Sequence, residues 1–179
     1  MRKFPALILG VGLITSSALA LADNTPAGKS DAGLTASVKS ALIGNKDTKA
    51  SQINVETQQG VVQLSGFVDS AAAKQSAEAT AQSVAGVTEV DNKLLIRDAN
   101  RSTGQAVDDT VIAAKVKGEI AGKAGLGTAA DVNVEVNSGV VELSGFVPTA
   151  AEKAKAGEIA SGINGVKNVE NNIALKPKG

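Results

Sequence analysis

The chain has 179 residues, with 18 basic and 18 acidic side chains and no histidine, cysteine, tryptophan or tyrosine. That composition excludes Ser-His-Asp and Cys-His catalytic groups, histidine- or cysteine-ligated zinc, and disulfides. Balanced charge and only three phenylalanines also argue against a nucleic-acid partner, which needs a basic field and stacking platforms.

Residues 1–22 read as an export signal. Arg2 and Lys3 open it, an apolar run follows from Phe4 to Leu21, and Ala20-Leu21-Ala22 supplies a small-x-small cleavage pattern, with cleavage after Ala20 as the alternative. The run is short for a spanning helix, which takes about 20 apolar residues. No cysteine follows it, so acylation of an N-terminal cysteine is not expected. Loss of the leader leaves 16 basic against 18 acidic side chains, a net charge of −2. Residues 23–30 read as a short disordered lead.

The first domain is expected over residues 31–96. Leu34, Val38, Ala41 and Leu42 recur at helical spacing, with Asp31 as a candidate cap. Ile53 and Val55 alternate with polar residues as a strand does, Gln58-Gln59-Gly60 reads as a hairpin turn, and GVVQLSGFV (Gly60–Val68) is the second strand. Ser70 opens an alanine-rich helix, Gly86 closes it, and Val87 to Ile96 forms a last strand. A hairpin followed by a helical return makes that strand parallel to the second.

Residues 97–107 (RDANRSTGQAV) are polar and are expected to form a flexible linker. The same unit then recurs over 108–179. GVVELSGFV (Gly139–Val147) repeats the first motif with one change, Gln63 to Glu142, and 17 of 37 aligned pairs between 60–96 and 139–175 are identical. Ile112, Val116 and Ile120 take the places of Leu34, Val38 and Leu42. Asp108 or Asp109 is expected to cap the helix rather than bind metal. Thr149-Ala150-Ala151-Glu152 has the form of a capping box, and Ala156, Ile159, Ala160 and Ile163 mark a buried stripe. The expected fold class is α+β: two tandem αββαβ domains, each a mixed three-stranded sheet with two helices packed on one face.

The twice-written pattern resembles the BON domain of bacterial envelope proteins. It reads Gly60, Val62, Leu64, Gly66, Val68, Gly86, Val87, Val90, Asn92 and Leu94, then Gly139, Val141, Leu143, Gly145, Val147, Gly165, Val166, Val169, Asn171 and Ile173. These are structural positions. The resemblance implies a soluble, non-catalytic protein of the Gram-negative periplasm with a role in envelope and osmotic stress. Its partners would be exported or unfolded envelope proteins, as for a chaperone-like or adaptor module, or alternatively an anionic phospholipid surface. No catalytic residue, metal or cofactor is expected.

Strand alternation turns Val61, Gln63, Ser65 and Phe67 away from the helices, and Val140, Glu142, Ser144 and Phe146 likewise. Val61, Phe67, Val140 and Phe146 are therefore the candidate interaction surface. The open readings are a bulge that turns the rings inward, ordinary exposure, pairing of the two sheets, or contact with a partner. Lys115 and Lys123 flank Glu119 at four-residue steps. They are candidate lipid-headgroup contacts, or members of a row of surface ion pairs.

Overall fold

A computed structural model describes residues 30–123 and 131–176. The leader, residues 23–29 of the lead and the last three residues of the second domain lie outside the described residues. In the first domain, α1 (Asp31–Gly44) is followed by a 3₁₀ turn at Ala50–Gln52, β1 (Asn54–Gln58), β2 (Val61–Ser65), β3 (Phe67–Val68), α2 (Ala71–Gln82), β4 (Glu89–Asn92) and β5 (Leu95–Ile96). The second repeats this order with α3 (Thr103–Lys123), β6 (Val132–Asn137), β7 (Val140–Val147), α4 (Ala150–Ser161), β8 (Asn168–Asn171) and β9 (Ala174–Leu175).

β2 lies between antiparallel β1 and parallel β4, and β7 lies between antiparallel β6 and parallel β8. Both helices of each unit cover one sheet face, giving two separate aliphatic cores. Val38, Leu42, Val55, Val62, Leu64, Val68, Ala77, Ala81 and Leu94 form the first. Val116, Ile120, Val134, Val141, Leu143, Val147, Ala156, Ala160 and Ile173 form the second. Alanine faces the sheet on α2 and α4, so helix and strand backbones approach closely without a large side chain between them.

Four local expectations are corrected. Ser30, not Asp31, caps α1, its Oγ accepting from the Gly33 N–H at 3.3 Å. Asp31 instead reaches across to the β1–β2 turn and accepts from the N–H groups of Gln59 (2.8 Å) and Gly60 (3.0 Å). Asp109 is likewise no cap, because α3 begins six residues earlier, at Thr103. Its buried carboxylate accepts from Ser138 N–H (2.7 Å) and Gly139 N–H (2.8 Å) and pairs with Arg101 at 2.8 Å. Gln59, Gly60, Ser138 and Gly139 all have positive φ, as a two-residue type I′ hairpin requires. Since Gln59 and Ser138 adopt that conformation reluctantly, the aspartates hold the turns from outside.

The stretch expected to be a flexible linker is in part ordered structure. Residues 103–107 belong to α3, the Asp98 N–H donates to Asn137 Oδ1 at 2.9 Å, and Arg101 is held by Asp109. The last strand, expected to be continuous, is split. Asn92 Oδ1 accepts from the Leu94 N–H (3.2 Å) while its amide donates to Lys74 O (3.1 Å), and Asn171 does the same with Ile173 and Lys153. That local turn drives Leu94 and Ile173 into the cores, where each is 1% exposed.

Gly66 and Gly145 sit at φ +119° and +115°, and a Cβ on either would run into a backbone carbonyl, that of Gln52 or Asp131. Gly66→Ala and Gly145→Ala are each expected to lower unfolding free energy by roughly 2–4 kcal/mol. Urea melts followed by far-ultraviolet circular dichroism would measure the loss, and Gly118→Ala, at an open site on α3, is the control that should be neutral or stabilising.

Candidate functional site

The sheet faces turned away from the helices cover each other. Pairing keeps a constant offset of 28 residues through the glycines, from Leu64↔Asn92 to Phe67↔Leu95 and from Leu143↔Asn171 to Phe146↔Ala174. No bulge intervenes in that pairing, and strand alternation places Gln63 and Ser65, and Glu142 and Ser144, on the non-helical faces. All four are nonetheless buried, with Gln63 and Glu142 at 1% exposure. The second domain provides the cover that the first lacks, and the reverse.

The contacts obey an approximate two-fold relation. Ser65 Oγ and Ser144 Oγ meet at 2.7 Å at its centre. On either side, Gly66 N–H donates to Glu142 Oε2 and Gly145 N–H donates to Gln63 Oε1, both at 2.7 Å. Further out, the Asn54 amide donates to Glu135 Oε1 (3.1 Å) and the Asn133 amide to Glu56 Oε1 (3.0 Å). Asn172 breaks the symmetry, accepting from Gln63 Nε2 at 2.9 Å while donating to Glu142 Oε1 at 3.2 Å. Its counterpart in the first domain is Lys93, which pairs with Asp91 at 2.9 Å. Buried backbone donors need acceptors, and here the acceptors come from the other domain.

Cross-strand register sets the electrostatics. In the first sheet Glu56, Gln63 and Asp91 are paired neighbours; in the second they are Glu135, Glu142 and Glu170. Glu142 is thus flanked by two carboxylates in its own sheet. Burial pushes its pKa up to about 7, with Glu135 adding to the rise and the Gly66 N–H, the Asn172 amide and Lys74 opposing it.

Of the sequence-derived candidates, Phe67 and Phe146 are buried, at 9% and 8% exposure. Neither belongs to a helix-covered core. Phe67 lies at the seam between domains, lining a cavity with Leu95, Ile96 and Val140. Val61 and Val140 are half-buried. The four are therefore not an exposed patch in this state, because the sister domain covers that face. Lys115 is exposed on α3 and lines a second cavity, of about 300 Å³, with Val111, Ile112 and Lys167. Lys123 is bound to Glu119 at 2.6 Å as an exposed i,i+4 pair. Lys115 and Lys123 are not brought together on one ligand. Sequence reasoning missed Gln63, Glu142, Ser65 and Ser144 as the centre of the contact; the single substitution within nine repeated residues was the available signal. Among the described residues no group of three or more His, Cys, Asp or Glu side chains is placed to hold a metal ion, and no helix is long and apolar enough to cross a membrane.

The BON domain family matches this chain twice, over residues 30–98 and 108–177. The chain belongs to the BON-domain family. It is 38% identical over 147 residues to osmotically-inducible protein Y of Escherichia coli (strain K12), covering 82% of this chain and 73% of that protein. It is 32% identical over 165 residues to the outer membrane lipoprotein DolP of Haemophilus influenzae, covering 92% and 84%. Among solved structures it is similar to the C-terminal domain of CdsD, a structural protein of the type III secretion system of Chlamydia trachomatis, with a TM-score of 0.30 and 20% identity over 82% of this chain and 67% of that one. Neither the family nor these relatives point to a reaction.

Two outcomes are expected from this geometry. In a chain without cysteine, the Ser65→Cys/Ser144→Cys variant should form an intramolecular disulfide under mild oxidation, seen as faster migration on non-reducing gels. The second concerns pH. Because the folded-state pKa of Glu142 lies above its ordinary 4.5, the native state holds the proton more tightly than the unfolded one. Its contribution to stability is full below pH 4.5, declines up to about 7 and is flat above. Wild type should therefore lose up to about 3 kcal/mol relative to Glu142→Gln between pH 4.5 and 8, measurable by paired urea titrations.

Proposed function

We propose that the protein is a non-catalytic module of the bacterial envelope stress response that works at phospholipid surfaces, with the outer face of α3 as its contact. The observation that carries this reading is the pairing of exposed aliphatic and basic groups on one face. Val107 and Val111, 61% and 47% exposed, stand one turn apart, Lys115 continues the same line, and Lys167 joins Lys115 at the cavity beside Val111, where exposed Asp108 is the opposing charge. Such a face sets apolar side chains at the acyl boundary while ammonium groups meet phosphate. Lys123 contributes less, since Glu119 already neutralises it. The export signal read over residues 1–22, together with relatives named as osmotically inducible and as an outer membrane lipoprotein, supports action in the envelope and in osmotic stress.

The chaperone-like or adaptor reading came from the family resemblance, and the apolar surface it would use, Val61, Phe67, Val140 and Phe146, has both rings buried. That favours the lipid reading for the closed molecule. Co-sedimentation with vesicles of phosphatidylglycerol and phosphatidylcholine tests it. Binding should fall as salt rises. With each lysine near an anionic surface worth about 1 kcal/mol, Lys115→Glu/Lys167→Glu should weaken it by tenfold or more, and Val111→Asp should do likewise. Vesicle binding that is absent, or indifferent to all three substitutions, sinks the proposal. Retention of a reduced, unfolded polypeptide in place of vesicles would favour the chaperone-like reading.

A further inference from the structure

We propose that the contact between the two sheet faces is a proton-operated clasp: the domains are closed on each other while Glu142 is protonated, and its ionisation shifts them toward an open arrangement. The argument rests on how the interface is built. It is polar at its centre, and its closure depends on six interdomain hydrogen bonds, donated by the Gly66 and Gly145 N–H groups and the side-chain amides of Asn54, Gln63 and Asn133, and shared between Ser65 and Ser144. The two cores are separate, so parting the sheets breaks neither. Opposing such a movement are the Phe67 and Phe146 rings, buried outside both cores, and the half-buried Val61 and Val140.

Carboxylates dominate what faces Glu142. Its strand neighbours are Glu135 on β6 and Glu170 on β8. Across the interface the row is Glu56 on β1, Gln63 on β2 and Asp91 on β4, with Asp91 tied to Lys93. The Gly66 N–H and the Asn172 amide, both neutral, oppose the rise in its pKa by donating to its carboxylate oxygens, and Lys74 on α2 adds a smaller attraction. An ionised Glu142 is a charge removed from water, next to like charges, with no cation bonded to it. Opening returns it to solvent, so ionisation favours the open arrangement. At the related position on the other side stands Gln63, which makes the same hydrogen bond to a glycine N–H without a charge. One sheet thus offers a fixed acceptor and the other a switchable one.

This switch is independent of the lipid reading, since α3 presents Val107 and Val111 outward in either arrangement. Its test uses the full chain carrying Ser83→Cys and Ser161→Cys, exposed sites at the ends of α2 and α4, with a spin label on each. Double electron–electron resonance should give one narrow distance at pH 5.5 and a second, longer population at pH 8.5, the open fraction rising on the order of tenfold. Glu142→Gln should keep the narrow distribution at both values, and Gln63→Glu should shift the opening to lower pH. Far-ultraviolet circular dichroism confirms that each variant stays folded; Gln at 142 is the residue the first domain already uses. A wild-type distribution that does not change with pH overturns the clasp, as does a Glu142→Gln protein that opens like wild type.

Discussion

Two backbone N–H groups, those of Gly66 and Gly145, join the halves of this molecule. Each sits in a left-handed conformation against a carbonyl of its own domain and donates out of its sheet to a side chain of the other domain. A buried donor without an acceptor costs about 1–3 kcal/mol, so each domain carries an unmet requirement that only its sister's central strand satisfies. Glycine is needed twice over, for the backbone conformation and for room beside the neighbouring chain. The serine pair between the two bonds, at 2.7 Å, leaves no space for water at the centre.

The fold was largely legible in the sequence because most of it follows from local rules. Leu34, Val38 and Leu42 have helical spacing, Val62 and Leu64 alternate, and the turns end in glycine. Local rules failed where a side chain acts at a distance. Asp31 and Asp109 resembled helix caps because they precede apolar periodicity, yet each bonds to a turn 28 to 30 residues away. Residues 97–107 looked like a flexible connector by composition alone. Their order comes from Asn137, 39 residues from its partner Asp98 and outside any window around the connector, and from the nearby Asp109, which pairs with Arg101.

The functional surface was read less well, for a related reason. Alternation correctly sent Phe67, Phe146 and the polar pairs to the non-helical faces. What covers a face is a question of tertiary arrangement, and strand periodicity carries no information about it. Once those faces are committed to each other, the outward groups on α3 remain as one feature with both apolar and basic character, and Ile43 beside Lys39 on α1 is another. Lys123 shows the limit of spacing arguments, since four-residue steps place it beside Glu119 as readily as beside a headgroup.

The near two-fold relation has a consequence for how such a surface can change. In a dimer of identical single domains, any substitution beside the axis is imposed on both sides at once, and a glutamate there would confront its own copy. Joining the copies in one polypeptide lifts that restriction. Position 63 is an amide while position 142 is an acid, an asymmetry that only a covalently linked pair can hold within one gene product.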